Sequence, residues 1–430
     1  MMTAFDVTAN ETLGPRIHEY RAPIVGRPLR VVYLWDADYP WDVRTEKVCA
    51  TLSSAGHDVH IVARNRARRP LTERMPEGTL HRMPPWRFLG RRTDELLGFP
   101  LFCSPRWRGL LDRTVRRVQP DAIIVRDLPL APTAVSIGRR RHLPVVLDLA
   151  ENYPAMMQMI FDAHRQRPLD YLVRNPAAVA LVERYCLTRV DRVWVVIDEM
   201  ADRLVRLGVS PDRIDLVSNT PPRQRAEADP PARTHPAGGP VTIVYLGLLE
   251  VPRGLGELIE AVALLRDDGL PVRCTIVGKG RDADLFHRQA RALGLGDERI
   301  RFLGYVDRET AMAAVRDADI GVLPHRMNEA WNTTIPNKLF DYMAEALPVI
   351  SSSVAPFARI VRETEAGEVF EAGNARSLAD AIRRLADAER RAACGAAGRR
   401  AILGRYHWER DTDVLLRGLE LAARSVARIR

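Results

Sequence analysis

The sequence predicts an α/β protein of two doubly wound parallel-sheet domains, and three observations carry that expectation. Short runs rich in Val, Ile and Leu alternate with longer segments of helical periodicity through most of the chain. Such βαβ spacing implies parallel pairing, because a parallel connection needs a crossover of a dozen residues or more. The alternation breaks once, between Pro221 and Pro240, where Pro221-Pro222, Pro230-Pro231, Pro236 and Gly238-Gly239-Pro240 leave almost nothing apolar. A length of 430 residues also exceeds what one ordinary core accommodates.

In chain order, residues 1–28 read as an irregular lead-in. The first domain, 29–220, opens with strand Leu29 to Trp35, helix Thr45 to Ala55 with Gly56 at its C-cap, and strand Asp58 to Ala63. From Arg64 to Gly98 the pattern dissolves into arginine- and proline-rich sequence. A basic amphipathic stretch, Phe99 to Arg117, leads into strand Ala122 to Val125. Helix Ala131 to Arg141, strand Pro144 to Leu149, helix Ala177 to Thr188 and strand Arg192 to Ile197 follow, then a helix capped by Asp198 and strand Ile214 to Val217. Residues 221–240 are linker. In the second domain, 241–405, strands Val241–Leu246, Val272–Val277, Ile300–Leu303 and Ile320–Leu323 alternate with helices Leu255–Leu265, Ala283–Leu293 and Thr310–Arg316. Further helices lie around Phe357–Val361 and Ala375–Leu385, and residues 406–430 form a last helix. In such sheets ligands lie at the carboxyl ends of strands.

Composition narrows the function. The five cysteines (Cys49, Cys103, Cys186, Cys274, Cys394) form no C-x-x-C pair, and histidine shows no H-x3-H spacing, which argues for reduced thiols and against a zinc site. No leading apolar run fits a signal peptide, and no segment fits a membrane span. A cytoplasmic protein is expected, on its own or peripheral to the cytoplasmic membrane face. The net charge of +9 has two readings, arginine-rich composition or attraction to anionic lipid or nucleotide. Nucleic acid is not an expected partner, since no aromatic-interleaved recognition module is present.

The chemistry concentrates in Thr333-Thr334-Ile335-Pro336-Asn337-Lys338-Leu339-Phe340-Asp341-Tyr342-Met343-Ala344, running into Leu347-Pro348-Val349-Ile350. Pro336 suits a first helical turn, and Leu339, Phe340 and Met343 form an inward stripe. Lys338, Asp341 and Tyr342 occupy the opposite side. A helix start flanked by Thr334 and Asn337, with Lys338 beside it, suits phosphate oxygens, and Asp341 suits ribose hydroxyls. Gly247, after the first strand of this domain, lets the backbone approach a ligand, and Arg253 precedes the next helix, placed to pair a phosphate. Gly278 and Gly280 form a reduced Gly-x-Gly turn after the second strand. The three Asp-Ala-Asp triplets, at Asp36, Asp282 and Asp317, are assigned to loops and helix boundaries rather than to metal.

Asp341-Tyr342-Met343-Ala344-Glu345-Ala346-Leu347-Pro348-Val349-Ile350 resembles the donor-site motif of the GT-B glycosyltransferases, glycosyltransferase family 4 in particular. Aspartate stands for the motif's second glutamate, Ala346 for its glycine, and Thr333 at the position of its first acid. The segment after Gly247 resembles a family segment with two basic residues, with Leu248 at the first and Arg253 at the second. The resemblance implies two Rossmann-like domains facing across a cleft, with residues 406–430 crossing back to the first. It implies a nucleotide-diphosphate sugar as donor, UDP- or GDP-linked, without a metal or other cofactor. Arg253 and Lys338 would stabilise the diphosphate in an open cleft, and the backbone at Tyr305 and Val306 would hold the base. On the acceptor side, Asp148-x-x-Glu151 resembles the family's Asp-x-His-Glu patch, with Ala150 for the histidine. Glu151 is therefore expected to handle the acceptor hydroxyl or its proton, with Arg126-Asp127 and Asp36 to Arg44 completing the wall. The implied function is a metal-independent, retaining hexosyltransferase of polysaccharide or glycolipid biosynthesis, whose acceptor can be lipid-linked. A sugar-nucleotide epimerase and a catalytically degenerate partner subunit are the alternative readings.

Overall fold

The computed structural model describes residues 26–40, 42–85, 102, 104–163, 175–228 and 239–427. The lead-in to residue 25, Phe99–Leu101 and the linker core 229–238 lie outside them. The chain divides into two compact units, one holding residues up to Ser218 together with Glu409 onward, the other holding Asn219–Trp408.

The first unit runs β1 (Arg30–Leu34), α1 (Val43–Ser54), β2 (Asp58–Ala63), β3 (Thr72–Met75), β4 (Gly78–Arg82), α2 (Pro105–Val118), β5 (Ala122–Arg126), α3 (Ala131–Arg141), β6 (Val145–Leu149), α4 (Tyr153–Ala163), α5 (Pro176–Leu187), β7 (Arg192–Val195), α6 (Asp198–Arg206) and β8 (Ile214–Leu216). Its sheet has the order β3-β4-β2-β1-β5-β6-β7-β8, parallel except for the β3–β4 hairpin. Strands β5 and β6 are buried at every position, as near-continuous apolar runs covered on both faces should be.

The second unit runs α7 (Gln224–Glu227), β9 (Val241–Leu246), α8 (Leu255–Asp267), β10 (Val272–Val277), α9 (Ala283–Ala292), β11 (Ile300–Gly304), α10 (Arg308–Arg316), β12 (Ile320–Leu323), α11 (Asn337–Ala344), β13 (Val349–Ser352), α12 (Ala355–Thr364), β14 (Gly367–Phe370), α13 (Ala375–Arg384) and α14 (Ala388–Gly404). Its sheet is wholly parallel, in the order β11-β10-β9-β12-β13-β14. Counted from β9 this is 3-2-1-4-5-6, the dinucleotide-fold order, whose winding reverses between β9 and β12. The last helix, α15 (Trp408–Ala427), packs Leu415, Leu416 and Leu419 at full burial within the first unit from Glu409 on. There, a Cβ on Gly418 would lie 2.4 Å from the Asp215 carboxylate.

Several elements depart from expectation. The dissolved stretch after Arg64 contains the β3–β4 hairpin, whose outer strand Thr-Glu-Arg-Met carries edge-strand charges that hide its periodicity. Asp198 is the first residue of α6, whose N-cap is Ile197 instead. Pro336 precedes α11 with an extended ψ of 135° instead of lying in its first turn. The stretch read as linker contains α7, tied down by Arg399 Nε donating to the Ala226 carbonyl at 2.7 Å. In α2 the apolar face, Trp107, Leu111 and Val115, is buried, leaving Arg108, Arg113, Arg116 and Arg117 exposed. Among the described residues no helix is long and apolar enough to cross a membrane.

Candidate functional site

In open α/β sheets the winding reversal leaves a crevice beyond the strand carboxyl ends. In the second unit that point lies between β9 and β12, and the loops there pack backbone to backbone. Gly247 has φ 147°, and a Cβ on it would stand 2.6 Å from Lys338 Nζ. Gly278 has φ 141°, with the Gly247 carbonyl oxygen 1.8 Å from where its Cβ would be. Gly280 packs as tightly on Leu249, whose N–H donates to the Lys279 carbonyl at 3.0 Å. Side chains at these positions would force the loops apart.

Arg253 lies on a 3₁₀ turn, Val251–Arg253, with its guanidinium 4.8 Å over the Trp331 ring. Lys338, in the first turn of α11, holds its ammonium 4.1 Å over Tyr245. Neither is in an open cleft: Arg253 is 9% and Lys338 7% exposed. The cause is local, since Tyr342 one turn on is fully buried, its hydroxyl accepting the Leu246 N–H at 3.0 Å and drawing the helix onto the strand end. Among the described residues, Lys338 Nζ and Arg253 Nε have no hydrogen-bond partner and neither side chain pairs with a carboxylate. Burial, reinforced by Arg253, pushes the Lys338 ammonium well below its usual pKa.

His325 and Trp331 complete the cluster. His325 is fully buried, its ring 4.6 Å from Trp331 and 5.3 Å from Phe357, edge-on to both. Among the described residues, both its nitrogens and Trp331 Nε1 lack hydrogen-bond partners. Burial first, then Lys338 and Arg253, hold the imidazole well below its usual pKa, against the Leu323 carbonyl, which favours a proton. The cluster thus gathers two basic side chains, an indole N–H and an imidazole, none more than 9% exposed.

The remaining second-unit residues are dispersed around it. Thr334 is buried and Asn337 exposed. The Thr333 hydroxyl donates to the Glu329 carbonyl at 3.0 Å, while the Glu329 side chain is exposed. Asp341 accepts from Arg225 at 2.5 Å, and the same guanidinium reaches Glu345 at 3.2 Å. Tyr305, 38% exposed, and the half-buried Val306 follow edge strand β11, with Lys279 Nζ 4.2 Å over the tyrosine ring.

In the first unit Asp148 is not a lining residue but a fully buried one. It accepts from the Tyr33 hydroxyl at 2.9 Å and from Arg44 at 2.6 and 2.9 Å. Burial would raise its pKa, but Arg44 and Arg126 override that and hold the carboxyl low. Asp127 follows β5 at φ 59°, 4% exposed, ion-paired with Arg126 at 3.0 Å and accepting the Ala150 N–H at 3.0 Å. Burial pushes its carboxyl up to about 7, Arg126 opposing and Glu151 adding to the rise. Asp36, after β1, is pushed by burial to about 6. Glu151 itself is half-buried near these two strand ends.

Sequence reasoning missed His325, Trp331, Tyr245 and Arg225. His325 lies two residues past β12, so the strand-end rule applied to every strand would have found it. Trp331 and Arg225 carry no signal, one in an irregular loop and the other in a proline-rich stretch.

Two family models match, one described as glycosyl transferase 4-like domain over residues 42–220 and one as glycosyl transferases group 1 over 240–388. The phosphatidyl-myo-inositol mannosyltransferase of Mycobacterium leprae is 33% identical over 193 residues, 44% of this chain and 48% of that protein. The chain thus spans about half the length of the curated relatives it matches. Among solved structures, the sucrose-phosphate synthase of Thermosynechococcus elongatus superimposes with a TM-score of 0.73 at 18% identity, over 93% of this chain and 100% of that one. Anabaena HepE, solved in complex with UDP, gives 0.64 at 13% identity, over 93% and 100%. Two parallel-sheet units of this order define the GT-B fold. The chain belongs to the GT-B glycosyltransferases, in the group resembling family 4.

Proposed function

We propose that this protein transfers a hexose from a nucleotide-diphosphate sugar, UDP- or GDP-linked, to an acceptor hydroxyl, with retention of anomeric configuration and without a metal. The observation that carries the reading is the pair of buried cations, Lys338 and Arg253, with no carboxylate beside them among the described residues. Unpaired buried charge is costly to keep, and a diphosphate is the anion whose arrival would offset two such charges at once. In the transition state, negative charge grows on the departing phosphate, and fixed cations in a dry site stabilise that growth more than they stabilise the bound donor. The N–H groups at the start of α11 add to the same field. Cations supplied by the protein take the role a metal would otherwise have.

Further support comes from neighbours of the same fold, Anabaena HepE bound to UDP and an Escherichia coli structure bound to UDP-2-fluoro glucose. On this reading Asp341 binds ribose, the backbone at Tyr305 and Val306 holds the base, and Gly247, Gly278 and Gly280 admit the phosphates. Glu151, beside Asp127, binds the acceptor hydroxyl. The mannosyltransferase relatives are named for a lipid acceptor, which fits a role in glycolipid or polysaccharide synthesis at a cytoplasmic membrane face. Donor-dependent transfer tests the proposal: incubation of radiolabelled UDP- and GDP-sugars with acceptor lipid should move label into the lipid. Conversion of donor alone would instead favour an epimerase.

A further inference from the structure

The two cations leave other groups in the crevice unanswered, and their chemistry differs from that of a phosphate site. Trp331 Nε1 is a donor, whereas a neutral imidazole presents one donor and one acceptor. His325, flanked by two positive charges and fully buried, is held in that neutral form. Even if the Leu323 carbonyl took the ring N–H, the other nitrogen would remain a buried acceptor. Phosphate oxygens accept but do not donate at neutral pH, so a diphosphate satisfies Lys338 and Arg253 and leaves that nitrogen unmet. Lys338 Nζ does not meet it either, since among the described residues both lack a hydrogen-bond partner. A hydroxyl, donor and acceptor in one atom, meets both the imidazole and the indole N–H. The Thr333 hydroxyl is turned away, hydrogen-bonded to the Glu329 carbonyl.

We infer that His325 and Trp331 read hydroxyls of the transferred sugar and set the donor's sugar specificity. The inference rests on the proposed use of a nucleotide-diphosphate sugar. A site that pairs buried polar groups with particular hydroxyls rejects a sugar lacking them far more strongly than an apolar wall would.

The test compares each nucleotide with and without its sugar. Calorimetric titration of the wild-type protein with UDP, UDP-glucose, GDP and GDP-mannose identifies the nucleotide and the extra affinity due to the hexose. His325→Phe retains an aromatic ring against Trp331 and Phe357 but removes both nitrogens, and Trp331→Phe removes only the indole. His325→Phe should bind the bare nucleotide within about twofold of wild type and lose tenfold or more of affinity for the sugar nucleotide. Trp331→Phe, which keeps a ring under Arg253, should lose more affinity for the sugar nucleotide than for the bare one. Two results overturn the inference while leaving the donor reading intact. One is undiminished sugar-nucleotide affinity. The other is equal loss for both ligands, which would assign the pair to the ribose or to packing. If wild type binds none of the four, the donor reading itself fails and the inference with it. Should His325→Phe not fold, Trp331→Phe alone decides.

Discussion

Lys338 concentrates the physics of this protein in one side chain. Its ammonium belongs, unfolded, to a group of pKa 10.5, and folding pulls it well below that value through burial and then Arg253. The unfolded chain therefore binds more protons between the two values, so this residue's contribution is most favourable above 10.5 and is lost as pH falls through the depressed value. Lys338→Met should accordingly raise the unfolding free energy of the ligand-free protein at neutral pH, on the order of 1–4 kcal/mol, measured by urea titration. A bound dianion favours the ammonium, so whatever fraction of Lys338 burial leaves neutral should take up a proton on nucleotide binding, and affinity should fall as pH rises. Titrations in two buffers of different ionisation enthalpy report that uptake; identical heats in both would refute it. Asp341 makes a second case. Arg225 already holds its carboxylate, so Arg225→Ala should weaken nucleotide binding by freeing Asp341, with Arg225→Lys restoring part of it. Unchanged affinity in Arg225→Ala would separate the ion pair from the ribose site. The sequence makes Arg253 legible because it follows the Gly247 strand end, and Lys338 because it stands at the helix start after Pro336. It did not reveal that they are buried, since burial depends on Tyr245, Trp331 and Tyr342 closing over them from three separate segments.

At the scale of elements, legibility followed periodicity. The strands β1, β5, β6, β9, β10 and β12 are dense apolar runs and were read directly. Helix α14 was not, because its sequence is mostly alanine, glycine and arginine. It packs by close approach, with a Cβ on Gly395 lying 2.2 Å from the Ala346 carbonyl oxygen. The turn holding Arg253 follows the same logic: Gly254 has φ 70°, and a Cβ there would lie 1.7 Å from the Pro324 carbonyl oxygen. Gly254→Ala should displace that turn, lowering nucleotide affinity by tenfold or more and destabilising the fold by roughly 1–3 kcal/mol. A variant as stable and as tight-binding as wild type would show that the turn is not fixed there. Helix α2 illustrates the reverse outcome. Its apolar face belongs to the unit's own core, so docking on an anionic membrane would depend on its arginines, each worth roughly 1 kcal/mol near such a surface. Co-sedimentation with anionic vesicles should then be strong at low salt, lost at high salt, and reduced in the triple change of Arg108, Arg113 and Arg117 to Gln. Equal pelleting of both proteins would move the membrane contact elsewhere.

At the scale of the molecule, two parallel-sheet units follow from the spacing of apolar runs and a single proline-rich break, whereas their strand orders come only from the structure. The spacing could not place the crevice chemistry, because residues from β9, β12, the loop after it and α11 meet only through sheet order. That convergence is the central claim: a buried, carboxylate-free pair of cations awaiting a diphosphate. The most direct measurement is the melting temperature of wild type and Lys338→Met, each with and without UDP or GDP. A ligand that binds only the native state at a hundred times its Kd stabilises it by about 2.7 kcal/mol. The account predicts that one nucleotide raises the wild-type melting temperature, while Lys338→Met melts higher than wild type alone and gains little from it. A ligand-free variant less stable than wild type that still shifts fully with nucleotide would contradict the claim.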